Sequence, residues 1–342
     1  MLWSYLKTAD KPILLYGMGN GAEKILDRLE LLDIPVSGVF ASDGFARHNT
    51  FRGYTVISYS EAREVYGDMI ALIAFGSQRK EVLDLFKKMQ GECELYAPDV
   101  PVYGDTVFDK AFENENSARL ASVCDRLCDE QSKLVFENTV KYKLTGDISY
   151  LFACETAPGE SYENIIKPDN ETVYLDLGAY TGDTVFEFIE NSRGYKRIIA
   201  VEPDIRSFKK LSKNIESLHN IEALNIGIHS RREVLPFSMS GGRQSVISDH
   251  GMLIHCDSVD NILSGDGAGF IKLDVEGREK EALMGCRETI LKYKPKLCVA
   301  AYHRSEDYFE IPELVLSIRD DYKMYMRHFP YVPAWDTNFY FV

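Results

Sequence analysis

The sequence has no Cys-x-x-Cys pair, although it contains seven cysteines: Cys93, Cys124, Cys128, Cys154, Cys256, Cys286 and Cys298. Structural zinc sites are commonly built on such pairs, so zinc-type spacing is absent. An odd number of scattered cysteines reads as reduced thiols in a reducing compartment, not as a disulfide framework. Cys124 and Cys128, one helical turn apart, read as one face of a helix. Long apolar runs are missing as well. The longest, Met69 to Phe75, is far shorter than the roughly 20 residues a membrane-spanning helix needs, so no membrane span is expected. No early segment joins a basic start, an apolar run and a small-residue cleavage site, so no secretory leader is expected and the chain reads as cytoplasmic. Positive charge is scarce. Lys and Arg number 39 against 53 Asp and Glu, a formal net charge of -14. Such a field does not favour a phosphate backbone, and no nucleic-acid partner is expected. Solenoid-type repeats and low-complexity segments are also lacking.

What is present is ordinary globular composition, 45% hydrophobic over 342 residues, long enough for two domains with their own cores. From Lys11 to Pro98 short apolar runs ("PILLYGM", "PVSGVFAS", "YTVIS", "MIALIAFGS", "CELYAP") alternate with helical patterns such as "QRKEVLDLFKKMQ". Strand–helix alternation implies crossover connections and a mostly parallel sheet. A smaller Rossmann-like α/β domain is therefore expected over residues 1–104. Residues 105–160 are polar with helically spaced apolar positions and read as a helical connector. A longer alternation fills 161–342, with seven strand candidates: "TVYLDLGA", "RIIAVEP", "IEALNIGI", "GFIKLDVE", "KLCVAAYH", "YKMYMRHF" and "DTNFYFV". The last two lack an intervening helix, which predicts antiparallel neighbours.

Two glycine turns invite a nucleotide. The first, Gly17-Met-Gly19-Asn-Gly21-Ala22, satisfies G-x-G-x-x-A, and Asp43 follows the second strand where a ribose-binding acid would stand. The competing reading is a glycine-tight turn without a ligand. No hydride-transfer pair accompanies it, since Tyr59 and Arg63 do not form Tyr-x-x-x-Lys. The second turn, "LDLGAYTGDT", has Asp176 in the strand, glycines at Gly178 and Gly182, and Asp183 and Thr184 opening a helix, where either could cap free amides. An anionic Asp183 at a helix N-terminus competes with a pyrophosphate for the same dipole. It suits a phosphate-free, cationic ligand such as S-adenosylmethionine. Glu202, one strand–helix–strand step later, could then accept hydrogen bonds from both ribose hydroxyls.

The segments "YLDLGAYTGDT", "IAVEPD", "VDNIL" and "IKLDVEGREKEALMG", in this order, resemble the FkbM-type S-adenosylmethionine-dependent methyltransferases. The resemblance runs from about Tyr162 to Val342 and includes "AYHRSEDYFEIPELV" and "YMRHF". The "GNGAEKIL…GVFASD" region and Lys143-Leu-Thr-Gly-Asp147 resemble N-terminal extensions of some bacterial members. The stretch Trp335-Asp336-Thr337-Asn338 departs from the family pattern. The resemblance implies a seven-stranded class I methyltransferase sheet with its last strand antiparallel. It also implies S-adenosylmethionine as cofactor and methyl transfer to an oxygen of a saccharide or glycosylated small molecule.

Ligands of open α/β sheets sit outside the carboxyl ends of the strands. Asp176, Gly178, Tyr180, Thr181, Gly182 and Asp183 are thus expected around the methionine half, Glu202 and Pro203 at the ribose, and Asn225 to Gly227 at the adenine. Asp274, Glu276 and His303 are the candidates for the reacting cluster, with a carboxylate or the histidine as base. For each, the bland alternatives are a helix cap, a turn-shaping residue or a hydrogen-bonded structural histidine. Asp260 is expected to cap the helix after it. "SGGRQSVISDH" (Ser240 to His250) could be a lid, with Arg243, Gln244 and Ser245 as polar contacts, or a plain surface loop. No metal is predicted, although the carboxylates would suit magnesium. The partner is a small-molecule or saccharide acceptor, and a homo-oligomer is left open. The alternative is a nucleotide- or nucleotide-sugar-binding protein, or an NAD-dependent enzyme, working through Gly17, Gly19, Gly21 and Asp43.

Overall fold

The structure, a computed structural model, describes residues 1–238, 246–247 and 251–342 of the chain. Six strands come first: β1 (Ile13–Tyr16), β2 (Gly38–Ala41), β3 (Thr50–Phe51), β4 (Tyr54–Ser58), β5 (Ile70–Ile73) and β6 (Glu94–Tyr96). They form one sheet in the order β3-β4-β2-β1-β5-β6. Every pairing is parallel except β3 with β4. β1, β2 and β5 are buried at every position, as a sheet covered on both faces requires. The two-residue β3 has no counterpart in the sequence reading, because two residues carry no periodicity.

Helices then run from Lys110 to Phe152. Helix Glu130–Thr145 ties the halves together. Its Val135, Phe136 and Leu144 pack into the C-terminal core, and its Tyr142 packs into the N-terminal one.

The remaining strands are β7 (Val173–Leu177), β8 (Arg197–Val201), β9 (Ile221–Leu224), β10 (Gly227–Ile228), β11 (Glu233–Ser238), β12 (Val246–Ile247), β13 (Met252–Asp257), β14 (Phe270–Leu273), β15 (Lys296–Ala300), β16 (Met324–His328) and β17 (Thr337–Phe341). Among the described residues, seven form a sheet in the order β16-β17-β15-β14-β7-β8-β9. β17 runs antiparallel to both neighbours, and the rest of the sheet from β15 to β9 is parallel. This is the class I methyltransferase-type arrangement, with the last strand reversed. "IEALNIGI" is not one strand. It breaks at Asn225, whose side-chain amide turns back to the Glu202 and Pro203 carbonyls at 2.9 and 3.0 Å. Its tail becomes β10 of a separate small sheet, β10-β13-β11-β12.

Arg327 on β16 is 2% exposed. It donates to Asp129 and Glu160 at 2.7 and 2.8 Å and to Ser132 at 2.8 Å, pinning the connector to the sheet edge. The loop from β16 to β17 reaches the other way. Val332 and Ser77 exchange backbone hydrogen bonds of 2.9 and 3.1 Å, and Val332 and Ala334 are buried in the N-terminal core. Among the described residues no helix is long and apolar enough to cross a membrane.

Candidate active site

One cavity of about 360 Å³ opens at the carboxyl ends of β7, β8 and β14. The turn after β7 builds one side of it. Gly178 has φ of +90°, and a Cβ there would lie 1.9 Å from the Asp274 carbonyl oxygen. Only glycine lets the ends of β7 and β14 come this close. Gly182, at φ of +94°, ends the turn as the N-cap of helix Asp183–Asn191, with no side-chain cap. The expectation that Asp183 or Thr184 caps this helix is therefore not met. Thr184 instead donates its hydroxyl to Asp176.

Glu202 follows β8 and is 7% exposed. One carboxylate oxygen accepts the Tyr180 N–H and the other the Asp204 N–H, both at 2.8 Å. Burial pushes its pKa up to about 7 in spite of these donors. Gly178, Tyr180, Asp183, Glu202, Pro203 and Gly227 all line the cavity. Asp176, Thr181 and Gly182 are not in its wall. Asp176 is fully buried beneath it, its carboxyl raised by burial despite Lys272 and Thr184. The Thr181 carbonyl accepts a hydrogen bond from Asn214.

The opposite strand ends carry the charged cluster. Asp274 and Glu276 line the cavity, together with Tyr302. The Tyr302 hydroxyl donates to Asp274 at 2.9 Å. Lys272 stands two residues back on the same face, 3.4 Å from Asp274 and 3.8 Å from Asp176. Burial lowers its affinity for a proton, but Asp274 and Asp176 outweigh that and hold it charged. Burial likewise raises Asp274, yet Lys272 and His303 bring it below the usual carboxylate range. Glu276 goes the other way, raised by burial more than His303 lowers it. Its backbone sits at φ of +55°, a strained position for a side chain. Glu279 holds that turn, accepting N–H groups from Val275 at 3.0 Å and Gly277 at 3.3 Å.

His303 does not reach the cavity. It is fully buried behind the carboxylates. Its Nδ1 lies 3.0 Å from Glu279, and its Nε2 lies 3.4 Å from Glu276 and 3.6 Å from Asp274. Burial disfavours its charged form, but Glu279 and Glu276 outweigh burial and leave it an imidazolium. Asp274, Glu279 and His303 bring ligand-type atoms within 4.8 Å of one another, a spacing that would admit a divalent ion. The cations Lys272 and His303 already occupy that negative field.

The N-terminal turn is not brought to this cavity. A Cβ on Gly17 would lie 2.5 Å from the Phe75 ring, and one on Gly21 would lie 2.5 Å from the Ala74 carbonyl oxygen. Packing thus explains both glycines. Gly19, at φ of +111°, is the N-cap of helix Asn20–Leu31. The Asp43 carboxylate accepts the Ser60 N–H at 2.9 Å and the Ser60 hydroxyl at 2.7 Å. Asp260 sits inside helix Val259–Leu263, whose cap is Ser258. Its carboxylate binds the N–H groups of Glu288 and Thr289, opening the later helix Arg287–Tyr293. Phe237 lines the cavity. The lid candidates Arg243, Gln244 and Ser245 lie outside the described residues.

Sequence reasoning passed over Lys272, Tyr302, Gln78 and Tyr331, and met Trp335 only as part of a stretch that departs from the family pattern. Lys272 carried a signal, since a lone charge in "FIKL" interrupts an otherwise apolar buried strand.

Residues 176–327 match the family model of the methyltransferase FkbM domain. The chain is similar to the crystal structure of methyltransferase FkbM from Methylobacillus flagellatus KT. The TM-score is 0.74 and the identity 23%, over 97% of this chain and 90% of that one. Weaker similarity links about half of this chain to Aeropyrum pernix fibrillarin in complex with S-adenosyl-L-methionine (TM-score 0.36, 13% identity, covering 54% of this chain and 71% of that one). An rRNA methylase from Streptococcus thermophilus is matched at a TM-score of 0.36 and 12% identity, covering 54% of this chain and 96% of that one. No curated protein matches the chain.

Proposed function

We propose that this chain, whose residues 176–327 match the family model of the methyltransferase FkbM domain, is a methyltransferase that uses S-adenosylmethionine to methylate a hydroxyl of a saccharide or glycosylated small molecule. One observation carries the reading: the glycine turn after β7, Glu202 after β8 and the pair Asp274–Glu276 after β14 all line a single cavity.

The residues present fit the cofactor. The Glu202 carboxylate stands in the wall where it can accept ribose hydroxyls, Gly178 presents no side chain to the cavity, and Asp183 and Asp274 offer negative charge to a sulfonium and an ammonium. When bound, S-adenosylmethionine supplies a methyl group on a positively charged sulfur. The protein's task is then to orient the acceptor and remove its hydroxyl proton.

Lys272 and Tyr302 hold Asp274 ionised and fixed, which suits it to position the acceptor hydroxyl or a cationic centre. Glu276 faces the same space, and we assign it the proton. The imidazolium of His303 lies behind both and is a positioning residue, itself held by Glu279. The competing reading, a nucleotide site at Gly17, Gly19, Gly21 and Asp43, is disfavoured by a turn in which Phe75 and Ala74 crowd Gly17 and Gly21 and Ser60 holds Asp43, with only Gly19 facing open space.

The test is production of S-adenosylhomocysteine with a panel of glycosides. Glu276→Gln is expected to lower turnover by about 100-fold or more while leaving affinity for S-adenosylhomocysteine unchanged. Undiminished turnover would remove Glu276 as base.

A further inference from the structure

In an open α/β sheet the ligand crevice lies where successive connections leave β1 in opposite directions. In the N-terminal sheet that point is between β1 and β5. The crevice is already filled by protein. The Phe75 ring covers Gly17, Ser77 pairs with Val332 through both backbone groups, and Val332 and Ala334 are buried among Leu14, Tyr16, Phe40 and Phe86. The loop that plugs it is the same loop that walls the methyltransferase cavity, through Tyr331, Trp335 and Asp336.

Contact is close enough to fix the loop's shape. A Cβ on Gly76 would lie 2.5 Å from the Trp335 ring and 2.9 Å from the Tyr331 ring. Those rings stand 5.8 Å apart at 43°. From the N-terminal half itself, Gln78 and Val102 enter the cavity wall. The chain at Val102 is held from below, as Lys24 donates to the Pro101 and Val102 carbonyls at 2.7 Å each. The next residue, Tyr103, donates its N–H to the His303 carbonyl at 2.9 Å and packs on Gly277 beside Glu276.

We infer that the N-terminal sheet is the outer wall of the acceptor site: the end of β5 and the loop it holds present Gln78, Tyr331 and Trp335 to an uncharged, hydroxyl-bearing ring. This rests on the methyltransferase reading given above. The chemistry follows from the wall. Aromatic faces offer apolar contact to the C–H face of a ring. A glutamine amide both donates to and accepts from hydroxyls. The ionisable groups lining the cavity are mainly acids, Asp183, Glu187, Glu202, Asp274, Glu276 and Asp336, against Lys272 and Arg278, and although burial raises Glu187, Glu202 and Glu276 the wall remains more acidic than basic. A phosphorylated acceptor or a nucleotide sugar would meet net repulsion there.

The test uses the full chain saturated with S-adenosylhomocysteine and a panel of methyl pyranosides, the corresponding sugar 1-phosphates and NAD, read by saturation-transfer NMR. At least one methyl pyranoside is expected to bind in preference to its phosphate and to NAD. Gln78→Ala, Trp335→Ala and Gly76→Ala are each expected to weaken it by about tenfold or more, with affinity for S-adenosylhomocysteine unchanged. Gln78 is exposed, so its variant keeps the test independent of folding, and Trp335→Phe should restore part of the binding. Pyranoside binding untouched by all three substitutions, no pyranoside binding at all, or preferential binding of the phosphates or NAD would overturn the inference. Failure of wild-type protein to bind S-adenosylhomocysteine would instead overturn the reading on which it rests.

Discussion

Lys272 sits in the middle of a buried strand with anions at 3.4 and 3.8 Å, and its removal would leave Asp176 without its cation and Asp274 with His303 alone. Breaking one side of a buried charge cluster costs about 3–5 kcal/mol. Lys272→Met should therefore lower the free energy of unfolding in urea by that amount, and a loss below about 1 kcal/mol would mean that the lysine is not the charge holding these carboxylates. Glu202 yields a pH effect. Its pKa is raised to about 7 by burial, so near neutral pH it is partly protonated, and in the proposed site only the carboxylate would accept two ribose hydroxyls. Affinity for S-adenosylhomocysteine, measured by calorimetry, should rise up to about tenfold from about pH 6 to about pH 8, and Glu202→Gln should flatten the profile. The folded value lies above the unfolded one. The folded chain thus holds this proton more tightly, and the group's contribution to stability falls as pH rises from about 4 to about 7.

Among the elements, the β7 turn and the end of β14 are joined by the approach of Gly178 to the Asp274 carbonyl. Gly178→Ala adds a Cβ where backbone already stands, at a φ of +90°. It should cost more than about 3 kcal/mol, combining overpacking with backbone strain, and it should abolish cofactor binding. A variant of wild-type stability by thermal unfolding would contradict that geometry. This turn was legible in the sequence because strand, glycines and acid are contiguous. Six of the seven strands of the larger sheet are legible for a related reason: largely buried strands read as plain apolar runs, whereas β9, an edge strand with no buried position, is not separated from β10 by its sequence. The small sheet is not legible. In β13, Met252 and Leu253 are 54% and 69% exposed, so neither alternation nor a buried run marks it. His303 was read as a candidate base from its place after a strand. Its burial between Glu276 and Glu279 is set by a turn that sequence spacing does not reveal.

For the whole molecule, Gln78 and Trp335 are 257 residues apart in numbering (335 minus 78) yet line one cavity, and no local pattern could have joined them. The halves share cores through Tyr142, Val332 and Ala334, and Arg327 pins the connector to the larger sheet. We expect the full chain to unfold in urea as one cooperative transition, with circular dichroism and tryptophan fluorescence coincident. Deletion of residues 1–104 should leave the apolar loop at Val332 exposed and the fragment aggregating. Two separated transitions and a soluble fragment that still binds pyranosides would refute the shared-core account. The central claim is that the cavity after β7, β8 and β14 holds a sulfonium nucleoside and that the N-terminal turn holds no dinucleotide. Calorimetric titration of the full chain with S-adenosylmethionine and, separately, with NAD tests it most directly. The account predicts one site per chain for S-adenosylmethionine, weakened about tenfold or more by Glu202→Gln, and no heat of binding for NAD. Saturable binding of NAD with no response to S-adenosylmethionine would contradict it.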